Sequence, residues 1–199
     1  MAESQPWLVV GLGNPGTRYA GNRHNAGYRV ADLLAARIGG RFSAHRSRAF
    51  VLEGRLAPVG GVPGPRLVLA KPSTYMNESG GPVAGLVRFY RVPLDRLLVV
   101  HDELDIAFGV VRLKRDGGEG GHNGLKSIST SLGTRDYCRL RLGIGRPPGR
   151  MDPADFVLRD VAAADRAEFE IMIEEAADAV ERVLCDGFPP AQNVVNALR

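Results

Sequence analysis

Short apolar runs alternate with stretches of helical periodicity along this chain, and that alternation admits few folds. Residues 7–12 are apolar and end in Gly and Pro, the pattern of a buried strand. Residues 25–38 then set Ala26, Val30, Leu33, Leu34 and Ile38 on one helical face. Residues 49–56 alternate as a strand, and a Gly- and Pro-rich turn at 58–65 leads into another at 67–70, so the two read as a hairpin. A helix over 79–91 closed by Pro93, strands at 97–100 and 110–113, and a glycine-rich loop at 116–121 follow. A short helix stopped by Gly133, a strand at 138–144, a loop at 145–153 and helices over 163–185 and 190–198 complete the order. Strands alternating with helices predict an α/β fold, and the hairpin makes its twisted sheet mixed, flanked by helices. With no repeat or linker, the 199 residues read as a single globular domain, 1–199.

Charge narrows the partners. The net +4 divides unevenly: residues 1–150 hold 22 basic and 11 acidic residues, while 151–199 hold 4 basic and 11 acidic ones. Of the 26 basic residues, 23 are arginine, whose fork matches phosphate, so a polyanionic partner fits; biased Arg codon usage alone would give the same count. No apolar run approaches the ~18 residues that span a bilayer. The N-terminus carries Glu3 and no basic residue, which argues against a secretory signal, and two cysteines make no disulfide framework. A cytoplasmic setting without a membrane partner is the expectation. Cys138 and Cys185 read as small core residues.

Open α/β sheets bind ligands outside the carboxyl ends of their strands. Unusual polar clusters sit at those ends here: 11–19 after the first strand, 71–80 after the third and HDELD at 101–105 after the fourth, with GGEGGHNG at 117–124 able to complete a site. GLGNPG at 11–16 formally matches a dinucleotide fingerprint, but Pro15 interrupts the turn and the helix starts several residues late, so a nucleotide-dependent oxidoreductase is disfavoured. Nucleophile elbows and zinc-protease motifs are missing from the sequence. HDELD sends alternate side chains to opposite faces, a poor arrangement for a metal site, so neither metal nor cofactor is expected. General-base chemistry on water remains. His24, just before a helix, is the best placed of four histidines, and Asp102 at a strand end is the natural carboxylate for its second nitrogen. His45 reads as part of a solvated loop and His101 as a buried structural group. Asn14, Asn77 and Asn123 each sit in a loop, where an amide can serve a carbonyl; singly, each is also ordinary turn chemistry.

GLGNPGTRYAGNRHNAG (11–27), KPSTYMNESG (71–80), HDELD (101–105), GGHNGLKS (120–127) and RLRLGIGRP (139–147) together resemble bacterial-type peptidyl-tRNA hydrolase, in order from residue 7 to about 160. The resemblance implies a monomeric, metal-independent α/β enzyme that cleaves the ester joining a peptide to the terminal ribose of tRNA, recycling tRNA from prematurely released peptidyl-tRNA. It implies His24 as the proton acceptor that activates water and Asp102 as the group that orients it. Asn14 would distinguish blocked peptidyl-tRNA from free aminoacyl-tRNA. Tyr19, Tyr75, Asn77 and Asn123 would contact the peptidyl–adenosine end, and Arg112, Lys114, Arg139 and Arg141 would face tRNA phosphates. Two departures stand out: the turn at 57–66 is long and Gly/Pro-rich, and Glu119 lies near the expected tRNA path. The basic strip at 109–150 then marks a face for the tRNA backbone, with the acids of the last quarter turned away from it or guiding its approach by repulsion. A non-catalytic RNA-binding protein on the same fold is the alternative.

Overall fold

The computed structural model describes residues 5–58 and 60–198, so Glu3 and Val59, on which the N-terminal and hairpin-turn readings partly rest, lie outside it. Within those residues the chain forms β1 (Trp7–Gly11), β2 (Ser43–His45), β3 (Ala49–Arg55), β4 (Arg66–Pro72), β5 (Leu97–Glu103), β6 (Val111–Arg115) and β7 (Cys138–Gly143), joined in one sheet of order β2-β3-β4-β1-β5-β7-β6. β1 runs parallel to β4 and β5, and β5 to β7; the remaining pairs are antiparallel, so the sheet is mixed. Its helices are α1 (Ala26–Arg37), α2 (Gly80–Tyr90), α3 (Asn123–Leu132), α4 (Pro153–Val157), α5 (Arg166–Asp186) and α6 (Phe188–Ala197). No helix among the described residues is long and apolar enough to cross a membrane.

Strand alternation sorts the core into two layers. Val9, Leu69, Leu98, Val100, Leu140 and Leu142 pack against α1, α5 and α6. Leu8, Val10, Val68, Leu97 and Val99 face α2 and α3 on the other side. Because both faces are covered, β1 and β5 are buried along their whole length, which is why their sequences run apolar instead of alternating. The outer edge of β6 is closed by α6: Leu113 N–H donates to Asn196 Oδ1 (2.8 Å), and Leu113 O accepts from Asn196 Nδ2 (2.9 Å) and Gln192 Nε2 (3.1 Å).

The acids of the last quarter have a structural use. Along the seam between α1 and α5, Arg29 pairs with Glu170 at 2.6 Å, and Arg37 gathers Glu174, Asp178 and Glu181. The +/− asymmetry of the sequence is therefore partly cancelled inside the molecule.

Three further departures follow from short-range signals too weak to read. The strand expected at 97–100 continues through Glu103. His45 lies on the edge strand β2, against the rings of Phe89 and Tyr90, and not in a solvated loop. α4 forms at 153–157, started by the Asp152 side chain accepting from Ala154 N–H. Of the two cysteines only Cys138 is buried, its thiol pushed up to about 12 chiefly by that burial; Cys185 is exposed.

Candidate active site

Two glycines bring the first helix onto the strand ends. A Cβ on Gly27 would stand 2.3 Å from Val100 O and 2.4 Å from Leu12 N, and one on Gly11 would stand 2.2 Å from Gly27 O. α1 therefore starts directly over the carboxyl ends of β1 and β5, ten residues beyond Gly16, which is not the geometry of a dinucleotide turn. His24 lies in the 3-10 turn Arg23–Asn25 just before that helix. The turn is pinned from outside: Asn22 Nδ2 donates to Asp160 Oδ1 at 2.7 Å, and the Arg23 guanidinium donates to Asp160 O at 2.9 Å and lies 4.4 Å over the Phe156 ring of α4.

Asp102 follows Leu98 and Val100 to the α1 face of β5, whereas His101 and Glu103 follow Leu97 and Val99 to the other. His24 Nδ1 lies 2.9 and 3.0 Å from the two Asp102 carboxylate oxygens. A second imidazole reaches the same carboxylate, His122 Nε2 at 3.0 Å from Oδ1. His122 Nδ1 accepts from Gly124 N–H (3.1 Å) and Leu125 N–H (3.4 Å), capping α3. That lone pair being used, the His122 proton sits on Nε2 and is donated to Asp102. His24 likewise donates Nδ1–H to Asp102, which leaves His24 Nε2 as the nitrogen with an uncommitted lone pair.

The electrostatics agree with these proton positions. Burial works against charge on Asp102, but His24 and His122 outweigh it and hold the carboxyl far below the usual carboxylate range. Burial would lower His24, and the Asp102 charge and hydrogen bond reverse that, so His24 is raised. His101 is wholly buried and pushed down to about 3, chiefly by that burial and by His122 beside it, so it stays neutral. Its Nδ1–H donates to the Asp102 carbonyl at 2.7 Å, fixing the backbone that carries the carboxylate.

Asn14 is buried and almost fully committed. Its N–H donates to Asn25 Oδ1 (2.9 Å), its carbonyl accepts from Asn25 Nδ2 (2.9 Å), and its Oδ1 accepts from Met76 N–H (2.8 Å). The side-chain NH2 is thus the end left to donate. Tyr19 and Tyr75 meet edge to face at 6.4 Å between centroids, and Tyr75, Asn77 and Asn123 are exposed. His24, Asp102, His122 and Asn123 line one cleft of about 350 Å³ with Gly120, Gly121 and Arg146. Asn14 lines a neighbouring cleft of about 270 Å³ with Asn25, Phe50 and Lys71.

A family model described as peptidyl-tRNA hydrolase matches residues 8–199. The chain belongs to the peptidyl-tRNA hydrolase family. It is 64% identical over 193 residues to a peptidyl-tRNA hydrolase of Frankia casuarinae, covering 97% of this chain and 95% of that one. One of Streptomyces coelicolor is 57% identical over 196 residues, 96% of each chain. The crystal structure of peptidyl-tRNA hydrolase from Acinetobacter baumannii superposes with a TM-score of 0.86 at 35% identity, covering 99% of this chain and 97% of that one.

Within this member of the peptidyl-tRNA hydrolase family, His24, Asp102 and His122 also offer three ligand atoms within 4.8 Å of one another. Their hydrogen bonds make them a poor metal cage. His122 Nε2 must keep its proton as long as Nδ1 caps α3, and His24 Nδ1 carries the proton given to Asp102. The cluster is built to hold protons.

Of the four basic residues expected at phosphates, Arg112, Lys114 and Arg141 line one open groove of about 770 Å³ on the β6–β7 side. Arg141 is also paired with Glu103 at 3.2 Å. Arg139 is not a surface cation. It is 1% exposed, and its guanidinium donates to Gly118 O and Gly117 O, each at 2.8 Å. The glycine-rich loop folds over it, so Arg139 holds the loop that leads to His122. Glu119, suspected of weakening tRNA attraction, is tied to Arg135 at 2.7 Å. A groove of about 660 Å³, roomier than the 350 Å³ cleft of His24 and Asp102, lies between α5, α6 and Val110–Val111, with Glu175, Asp178 and Glu181 on its walls and no histidine. Size does not locate the chemistry here.

His122 is the member of the Asp102-centred cluster that the spacing of the sequence missed. A histidine in a glycine-rich loop has no periodicity to reveal it. The available signal was its place directly before a helix, where a side-chain acceptor caps the first turn.

Proposed function

We propose that this chain hydrolyses the ester between a peptide and the terminal ribose of tRNA, with His24 as general base. The observation that carries it is the uncommitted Nε2 of His24, on a cleft wall, at the end of a buried Asp102-centred hydrogen-bond chain. Nε2 takes a proton from water as the water oxygen attacks the ester carbonyl carbon. The imidazolium formed is stabilised by Asp102 through Nδ1–H. When the tetrahedral intermediate collapses, the carbon–oxygen bond to ribose breaks and the ribose oxygen takes that proton. The products are a peptide carboxylic acid and tRNA with its hydroxyl restored; no redox step or external electrophile is required for balance.

The same geometry supports a role for Asn14 in choosing substrates. Its free NH2 can donate to a carbonyl on the N-blocking group, which peptidyl-tRNA has and free aminoacyl-tRNA lacks. An ammonium in that place would meet a donor, with no acceptor offered. The half-buried Tyr19 and the exposed Tyr75, Asn77 and Asn123 supply a polar and aromatic rim for the peptidyl–adenosine end. Arg112, Lys114 and Arg141 form the groove suited to phosphates. Every group invoked lies on one chain, so a monomer would suffice for the reaction, the state the family resemblance implies.

Release of an N-acetyl amino acid from charged tRNA, measured with chelator present, tests this. His24→Ala should lower turnover by about 100-fold or more, the usual scale of general-base loss. Near-normal turnover in that variant would refute it.

A further inference from the structure

We propose that the turn joining β2 to β3, together with the exposed face of α2, forms a second surface that binds unpaired RNA separately from the catalytic cleft. The turn is Arg46, Ser47 and Arg48, and Arg48 has φ 54°, the left-handed region. Three-residue hairpins favour glycine there, because a side chain is strained by that backbone. This chain places a cation where the fold would prefer none. Strain held at a surface tip points to a use for the side chain.

The helix beside the turn is shaped to receive it. A Cβ on Gly81 would lie 3.1 Å from Arg48 Nη2, and one on Gly85 would lie 2.9 Å from Ser47 Oγ, so the two glycines let the turn rest on α2. Arg88 and Phe89 continue that helical face at the i+7 and i+8 positions from Gly81. Phe89 is 46% exposed, with the Arg46 guanidinium 4.8 Å above its ring and His45 edge-on at 4.7 Å.

Charge separates this patch from other arginines of the chain. Arg46, Arg48 and Arg88 make no ion pair among the described residues, while Arg29, Arg37, Arg115 and Arg135 are each held by acids. The nearby acid Glu53 accepts from Tyr90 OH at 2.9 Å. Unpaired guanidiniums bind phosphates, and a guanidinium stacked on phenyl offers a platform for a base. Bases in a duplex have no free face, so the ligand is unpaired RNA. Its place in the sheet sets the surface apart from the groove of Arg112, Lys114 and Arg141: β2 and β6 are opposite edges, about 29 Å apart at ~4.8 Å per strand. It still borders the catalytic rim, since Ser73 N–H donates to Arg48 O at 2.9 Å, two residues before Tyr75.

The test is fluorescence anisotropy of the full chain with an uncharged single-stranded RNA of about ten nucleotides. Arg46→Glu and Phe89→Ala should each weaken binding about 10-fold, and Arg46→Glu should flatten the salt slope by about 0.7. Arg48→Gly should raise Tm by about 2 °C by relieving strain, yet weaken RNA binding. All three should keep the wild-type kcat on N-acetyl-aminoacyl-tRNA. A higher Tm with unchanged RNA affinity in Arg48→Gly would overturn the proposal. So would a matching loss of kcat, or equal binding of phosphatidylserine vesicles or a polyglutamate peptide.

Discussion

Two networks of charge in this molecule use the same chemical groups to opposite ends. Along the α1–α5 seam, Arg37 meets three carboxylates, each of them open to solvent. At the ends of β1 and β5, one carboxylate, 2% exposed, meets two imidazoles, and one nitrogen of His24 is left over. Water screens the seam, so each of its pairs contributes about 0–1 kcal/mol. The buried centre is screened far less, and breaking one partner there costs about 3–5 kcal/mol because the other charge is stranded. A solvated network steadies the fold, whereas a buried one that ends in a free lone pair on a cleft wall is suited to chemistry.

The largest blow to that contrast should come from Asp102→Asn. The amide presents an N–H toward His24 Nδ1, moves the imidazole proton to Nε2 and removes the base; turnover should fall about 10³-fold with the fold intact. A fall below 10-fold, with unchanged circular dichroism, would mean that Asp102 does not set the tautomer. His122→Leu takes one donor from Asp102, so more of its charge falls on His24. We expect about a 10-fold loss of kcat/KM, with the acid limb of the pH profile displaced upward. An unmoved limb would reduce His122 to a helix cap. Asn14→Ala should lower the preference for blocked over free aminoacyl-tRNA by about 5–10-fold, the scale of one hydrogen bond. Equal loss on both substrates would leave Asn14 a folding residue. The smallest effect belongs to the seam: Arg37→Ala should cost about 1 kcal/mol of stability and leave kcat/KM alone. A change in kcat/KM would show that the two networks are coupled.

Much of the architecture was legible because buried parallel strands are apolar throughout and the main helices are periodic. β2 was not, since Ser43, Ala44 and His45 offer no alternation over three residues. α4 is a single turn that depends on docking under Arg23. His24 and Asp102 could be paired in advance because each stands at the end of an element. His122 could not, because its contact with Asp102 depends on where a glycine loop folds. Arg139 shows the limit most clearly. In CRLRLGI it and Arg141 share a face, and only the path of residues 116–121 buries one and leaves the other half-buried. The acidic tail was visible as charge, but its partners on α1 lie more than 130 positions away in sequence.

The central claim, that His24 works as a base poised by Asp102, is tested most directly by the pH dependence of kcat/KM on N-acetyl-aminoacyl-tRNA. His24 is raised by Asp102, so it loses its base form as pH falls through a value above the ordinary ~6.5 of a free imidazole. Activity should therefore rise with pH to a plateau, with its midpoint above 6.5, and His24→Ala should abolish that limb. A rate that is flat from about pH 5 to 8, or a limb that survives in His24→Ala, would contradict the assignment.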